Sequence, residues 1–106
     1  MEKYLLVYYG GNMESDPQKA KQVMADWMKW FSDLGQAIVD GGAPTMPGKV
    51  VSTKNTKAGF VGEQPVTGYS ILQAANIDEA VKLSRGCPIL NSSGQIAVYS
   101  TMQMQM

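Results

Sequence analysis

Apolar and polar positions along this chain switch between two periods. From Lys3 to Tyr9 (KYLLVYY) β-forming residues fill both alternating sets. Tyr4, Leu6 and Tyr8 share one side; Leu5, Val7 and Tyr9 share the other. Apolar residues on both sides predict a central strand, which Gly10-Gly11 ends. A loop follows over Asn12 to Ser15. Then Ala20, Val23, Met24, Trp27, Phe31, Leu34 and Ile38 recur at three- and four-residue steps. At about 100° per residue they form one helical stripe. Lys21, Gln22, Lys29 and Asp33 lie opposite, with Met28 and Trp30 at the stripe's edges. The helix can start in two ways: a capping box of Ser15 and Gln18, or Asp16 as cap with Pro17 in the first turn. The stripe carries the helix past Gly35 to about Val39, and Asp40-Gly41-Gly42 stops it.

The second half repeats the alternation. Ala43 to Gly48 is a turn with two prolines, and Lys49 to Thr53 (KVVST) reads as a short strand. Lys54 to Val66 is broken by Gly59, Gly62 and Pro65, with Ala58 to Val61 as a short edge. Thr67 to Ala74 is a strand, and Asn76 to Arg85 a helix. Asn76 caps it, Asp78 and Glu79 sit at its positive end, and Ile77, Ala80, Val81 and Ser84 form its apolar face. Gly86 offers a left-handed stop and Pro88 forbids continuation. Ile89 to Gly94 is a loop. Gln95 to Met106 keeps a strict period of two to the end, longer than the usual five or six residues. Its Met-Gln-Met-Gln-Met end is either a frayed terminus or a strand arm that pairs with a second subunit.

The order β-α-β-β-α-β is the split βαβ pattern of the α+β, ferredoxin-like class. It predicts a four-stranded antiparallel sheet with both helices on one face, in a single domain over residues 1–106. The other sheet face then carries apolar residues with no helix left to cover it. A second copy of the sheet is the simplest cover, so a homodimer through the open face is expected.

Composition narrows the chemistry. Nine basic and nine acidic residues give zero formal charge, which argues against nucleic-acid binding. The single Cys87 can make no internal disulfide and fits a reducing, cytoplasmic setting. No leader or membrane-spanning run is evident. The chain has no histidine, which removes the commonest general base and metal ligand. No metal site and no cofactor are expected.

Several segments resemble the YCII-related family, which includes proteins named for an Asp-Gly-Pro-Phe motif. They are KYLLVYYG, WMKWFSDLGQAIVDGGAP, GYSIL, NIDEAVKLSRGCPIL and GQIAVYS. The Gly-Tyr strand followed by a D-E-A helix ending in G-C-P is the most specific part, and the Trp-x-x-Trp helix is next. The resemblance implies a dimeric α/β barrel. Two departures stand out. The Asp-Gly-Pro-Phe motif is missing, with Ala58-Gly59-Phe60 as its nearest remnant. The family's catalytic proposals rest on a His–Asp pair, of which Asp40 alone has a counterpart here.

Asp40 is therefore the candidate acid or base, against its plainer reading as a turn former before Gly-Gly. Tyr8, Trp30 and Tyr69 are candidate ligand-binding residues: two phenols able to donate hydrogen bonds and an indole wall. Their plainer reading is packing. Cys87 follows a helix C-terminus, where negative partial charge disfavours a thiolate, and reads as a buried structural thiol. Two functions are expected from these residues: a small-ligand-binding dimer, or a cofactor-free enzyme of lyase, isomerase or dehydrochlorinase type acting on a small ring-containing molecule through Asp40.

Overall fold

The double-sided strand near the start becomes β1 (Glu2–Tyr9) in a computed structural model that describes residues 1–11 and 15–103. It is followed by α1 (Pro17–Leu34), β2 (Ile38–Pro44), β3 (Lys49–Val51), β4 (Thr56–Ala58), β5 (Val66–Ala74), α2 (Ile77–Ser84) and β6 (Gln95–Ser100). Short 3-10 turns at Gly35–Ala37 and Pro88–Ser92 lie before β2 and before β6. The main sheet has the order β2-β5-β1-β6, every neighbour antiparallel. Two βαβ crossovers interleave, each leaving a gap that the other fills. This is the expected α+β, ferredoxin-like arrangement.

The two faces of β1 separate cleanly. Tyr4, Leu6 and Tyr8 are buried with Leu72, Ala74, Trp30, Ala80, Cys87 and Ile89 in the core between sheet and helices. Leu6 and Leu72 have no exposed surface, and each such burial contributes about 1.5–3 kcal/mol. Both helices start as polar caps dictate. Asp16 accepts a hydrogen bond from the Gln18 N–H at 2.9 Å, with Pro17 in the first turn, which settles between the two starts. Asn76 accepts from the Glu79 N–H at 2.9 Å.

The first helix is shorter than its stripe. It ends at Leu34, where Gly35 turns to φ +54°, and Ile38 belongs to β2 rather than to the helix. Ile38 is apolar because it pairs with Leu72, a coincidence of phase that mimics a further helical turn. Asp40-Gly41-Gly42 is then no stop. It is the irregular centre of an edge strand, whose register jumps from Ile38↔Leu72 to Asp40↔Ile71 to Ala43↔Tyr69. Gly42 sits at φ +74°, and a β-carbon there would collide with the Tyr69 carbonyl oxygen. Only glycine lets β2 lie this close to β5.

Four further expectations change. Lys49–Val51 pairs only with Thr56–Ala58, as a separate hairpin outside the main sheet. Val23 and Met24, within the stripe, are exposed, while Trp30, placed at its edge, is buried with its indole N–H donating to the Leu83 carbonyl at 3.1 Å. Gly86 is not left-handed; its missing β-carbon makes room for the Trp30 ring. The last strand ends at Ser100, although Thr101 still donates from its backbone to Lys3. Residues 104–106, the end of the suggested strand arm, lie outside the described residues, as do 12–14 of the first loop.

Gly42→Ala should destabilise the chain by about 2 kcal/mol or more in urea unfolding, since strain and a backbone clash coincide. Gly41→Ala, where a β-carbon meets nothing within 4 Å, serves as control and should cost well under half as much. Equal costs would show that the irregular β2 edge is not what selects glycine.

Candidate functional site

The open face of the sheet is set by parity. Opposite the core residues stand Leu5, Val7 and Tyr9 of β1, Tyr69 and Ile71 of β5, and Ala97 and Tyr99 of β6. Leu5 faces Ile71 and Tyr99, and Val7 faces Tyr69 and Ala97, across the ladders. None of these is fully buried; Tyr69 is 36% and Tyr99 52% exposed. The two helices pack with the core on the opposite face.

The four site residues expected from sequence divide between the two faces. Tyr8 belongs to the core. Its ring meets Trp27 edge-on at 5.2 Å, and Trp27 meets Trp30 at 5.8 Å, so Tyr8 and Trp30 are joined in one aromatic cluster. The Tyr8 hydroxyl donates to Ser70 Oγ at 2.7 Å, and the Ser70 hydroxyl donates to the Gly41 carbonyl at 2.8 Å. Burial pushes the Tyr8 phenol well above its ordinary pKa, against a smaller opposing effect of the Ser70 bond. Tyr69 points the other way, on the open face. Asp40 is exposed on the edge strand, and its Oδ1 accepts from the Gly42 N–H at 2.8 Å. The Tyr8–Ser70–Gly41 relay thus ends beside Asp40, but Tyr8 and Trp30 share no surface with Tyr69.

Two recesses instead open at the Tyr9 end of the sheet. One, of about 690 Å³, lies between Tyr9, Gln95 and Tyr99 of the sheet and the segment carrying Val61, Glu63 and Gln64. The other, of about 960 Å³, lies under the β3–β4 hairpin against Met46, Phe60, Val66 and Thr67, and is mainly apolar. Tyr9 and Val61 are common to both. Local backbone places these groups. A bulge between Tyr8 and Tyr9 leaves Thr67 unpaired in the ladder, and its hydroxyl donates to the Gly10 carbonyl at 3.0 Å. Gly10, at φ +67°, lets the Gln64 carboxamide rest against it. The Tyr9 phenol is pushed above its ordinary pKa, chiefly by burial and then by the Tyr99 phenol beside it.

Sequence reasoning missed Tyr9, Tyr99, Gln64 and Gln95 as site residues. The alternation sets Tyr9 with Leu5 and Val7, and Tyr99 with Ala97, but in a strand apolar on both sides it does not say which set faces away from the core. Gln64 gave no such signal, because it lies in a stretch without period. Cys87 is buried, and burial raises its thiol to about 12, with a smaller lowering effect from an Ile89 backbone bond. Among the described residues no group of three or more His, Cys, Asp or Glu is placed to hold a metal ion. No described helix is long and apolar enough to cross a membrane.

No protein-family model matches the sequence, and no curated protein matches it. Solved structures match in fold. One is 5-chloro-2-hydroxyhydroquinone dehydrochlorinase (TftG) from Burkholderia phenoliruptrix AC1100, in complex with 2,5-dihydroxybenzoquinone. It is 16% identical, the match covers 94% of this chain and 95% of that one, and the TM-score is 0.54. At that identity the likeness is one of fold: an α+β, ferredoxin-like protein.

The Cys87 shift has a sign that can be tested. The folded state holds its thiol proton to about 12, whereas the unfolded chain releases it near the ordinary thiol value. The stabilisation is therefore complete below about 8.5 and is lost as pH rises toward 12. Urea-unfolding free energy should fall between pH 8.5 and 10, approximately, and Cys87→Ala should remove most of that decline. An identical slope in the variant would contradict a buried, protonated thiol.

Proposed function

We propose that this chain is a single-domain subunit of a small-molecule-binding homodimer, related to the YCII-type proteins, with the open sheet faces of two copies laid together. One observation carries the reading. A sheet face with Leu5, Val7, Ile71 and Ala97 at its centre is left without cover, and a ligand-sized recess opens beside it at Tyr9 and Tyr99. The dimensions support this. The chain is a slab 44 × 44 × 20 Å, with a radius of gyration of 15.1 Å, against about 13 Å for a compact chain of this length. Two slabs stacked on their bare faces give a body of nearly equal dimensions. A second copy so placed would also help to wall the recess. The dimer, the ligand site and a cytoplasmic location form one consistent reading of a low-charge chain with a lone buried thiol.

Light scattering at tens of micromolar should return twice the 11.5 kDa chain mass. Val7→Lys, which puts an ammonium at the centre of the open face, should return the single-chain mass with its far-ultraviolet dichroism unchanged. A wild-type chain that stays single at this concentration rejects the dimer.

The second reading is a cofactor-free enzyme acting on a small ring-containing molecule, with Asp40 as acid or base and Tyr8, Trp30 or Tyr69 near the ligand. It draws on the likeness to a dehydrochlorinase and on the relay that ends beside Asp40. On this reading Asp40→Asn loses turnover by about a hundredfold or more while ligand binding persists. Turnover that survives the substitution removes Asp40 from any catalytic part.

A further inference from the structure

We infer that the recess between Tyr9 and Tyr99 takes a planar, neutral or cationic molecule with hydrogen-bonding groups on its rim, and turns away carboxylates and phosphates. This rests on the proposal above that the recess is a ligand site, and names the chemistry it would select.

The lining carries the argument. Val61 and Ala97 provide apolar surface, and the Tyr9 and Tyr99 rings supply flat walls. A volume of about 690 Å³ falls within the range of small-molecule pockets. The rim is polar. Two phenols and the carboxamides of Gln64 and Gln95 each donate and accept, so a ring bearing hydroxyl, carbonyl or amide groups meets a partner in either sense. The Gln64 carboxamide lies against Gly10. Among the described residues lining the recess Glu63 is the one charged group, and no lysine or arginine is there. An anion would leave water to meet a carboxylate with no cation to offset it, whereas an amidinium would gain from the same group.

Three molecules of matched size and shape separate these possibilities: benzamide, benzamidinium and benzoate. Each is titrated into the 106-residue chain at neutral pH, with binding followed by saturation-transfer NMR and dissociation constants obtained by competition. Benzamide and benzamidinium should bind, and benzoate should bind at least about tenfold more weakly. Glu63→Gln should narrow the gap between benzamidinium and benzoate, and Gln64→Ala should weaken benzamide. Benzoate binding as well as benzamide overturns this inference but leaves a ligand site in place. A charge order that ignores Glu63→Gln also overturns it, because binding is then elsewhere. Binding of none of the three, up to millimolar concentration, overturns the ligand-site reading and this inference together.

Discussion

The architecture turns on an imbalance of layers. Four strands make a sheet with two apolar faces, and the chain has helices for one of them. On the covered side the consequences are ordinary: Leu6 and Leu72 vanish from solvent, Trp30 is tied to the end of α2, and Tyr8 is locked into a hydrogen-bonded relay through Ser70 to Gly41. On the bare side the same strands present Leu5, Val7, Tyr69, Ile71, Ala97 and Tyr99 outward. Removing apolar surface from water is the largest favourable term available to such a chain. The proposed pairing of two copies follows from that imbalance, not from any single contact.

The same imbalance separates structure from chemistry. Side chains on the covered face are satisfied: no buried side-chain nitrogen or oxygen among the described residues lacks a partner. Tyr8 has its hydroxyl engaged, Trp30 its indole N–H, and Cys87 a thiol that burial keeps protonated. Groups with hydrogen-bonding capacity to spare lie at the margin of the bare face, where Tyr9, Gln64, Gln95 and Tyr99 surround a recess. A ligand recruited there need not disturb the core. The β3–β4 hairpin and the segment after it shape this margin while pairing with nothing in the main sheet.

What was legible in the sequence follows from how each feature is encoded. β1 and α2 were read nearly to their ends, because alternation, caps and a helix-breaking proline are local signals. β2 was missed because three effects coincided. Ile38 falls in phase with the helical stripe, Asp40 can form a turn, and Gly41-Gly42 looks like a stop when it is the close approach of two strands. That approach is a tertiary fact, visible only once Tyr69 is known to lie beside Gly42. Trp30 was set at the stripe's edge for a similar reason: the carbonyl that buries it comes from Leu83, in the second helix. Tyr9 and Tyr99 were legible only as members of a face, since alternation grouped each with its neighbours without saying which face turns from the core. Glu63 and Gln64 were not, since a stretch broken by glycine and proline carries no period to read.

Cover of the bare face is tested most directly by solvent paramagnetic relaxation at the methyl groups of Leu5, Val7 and Ile71, using a neutral soluble probe. The methyls of Leu5 and Ile71 in the wild-type chain should relax markedly more slowly than in Val7→Lys, while Val51, 76% exposed on the hairpin, serves as a reference in both. Equal relaxation in the two chains, at concentrations where NMR is recorded, would mean that the bare face stays wet, and would contradict the claim that a second copy covers it.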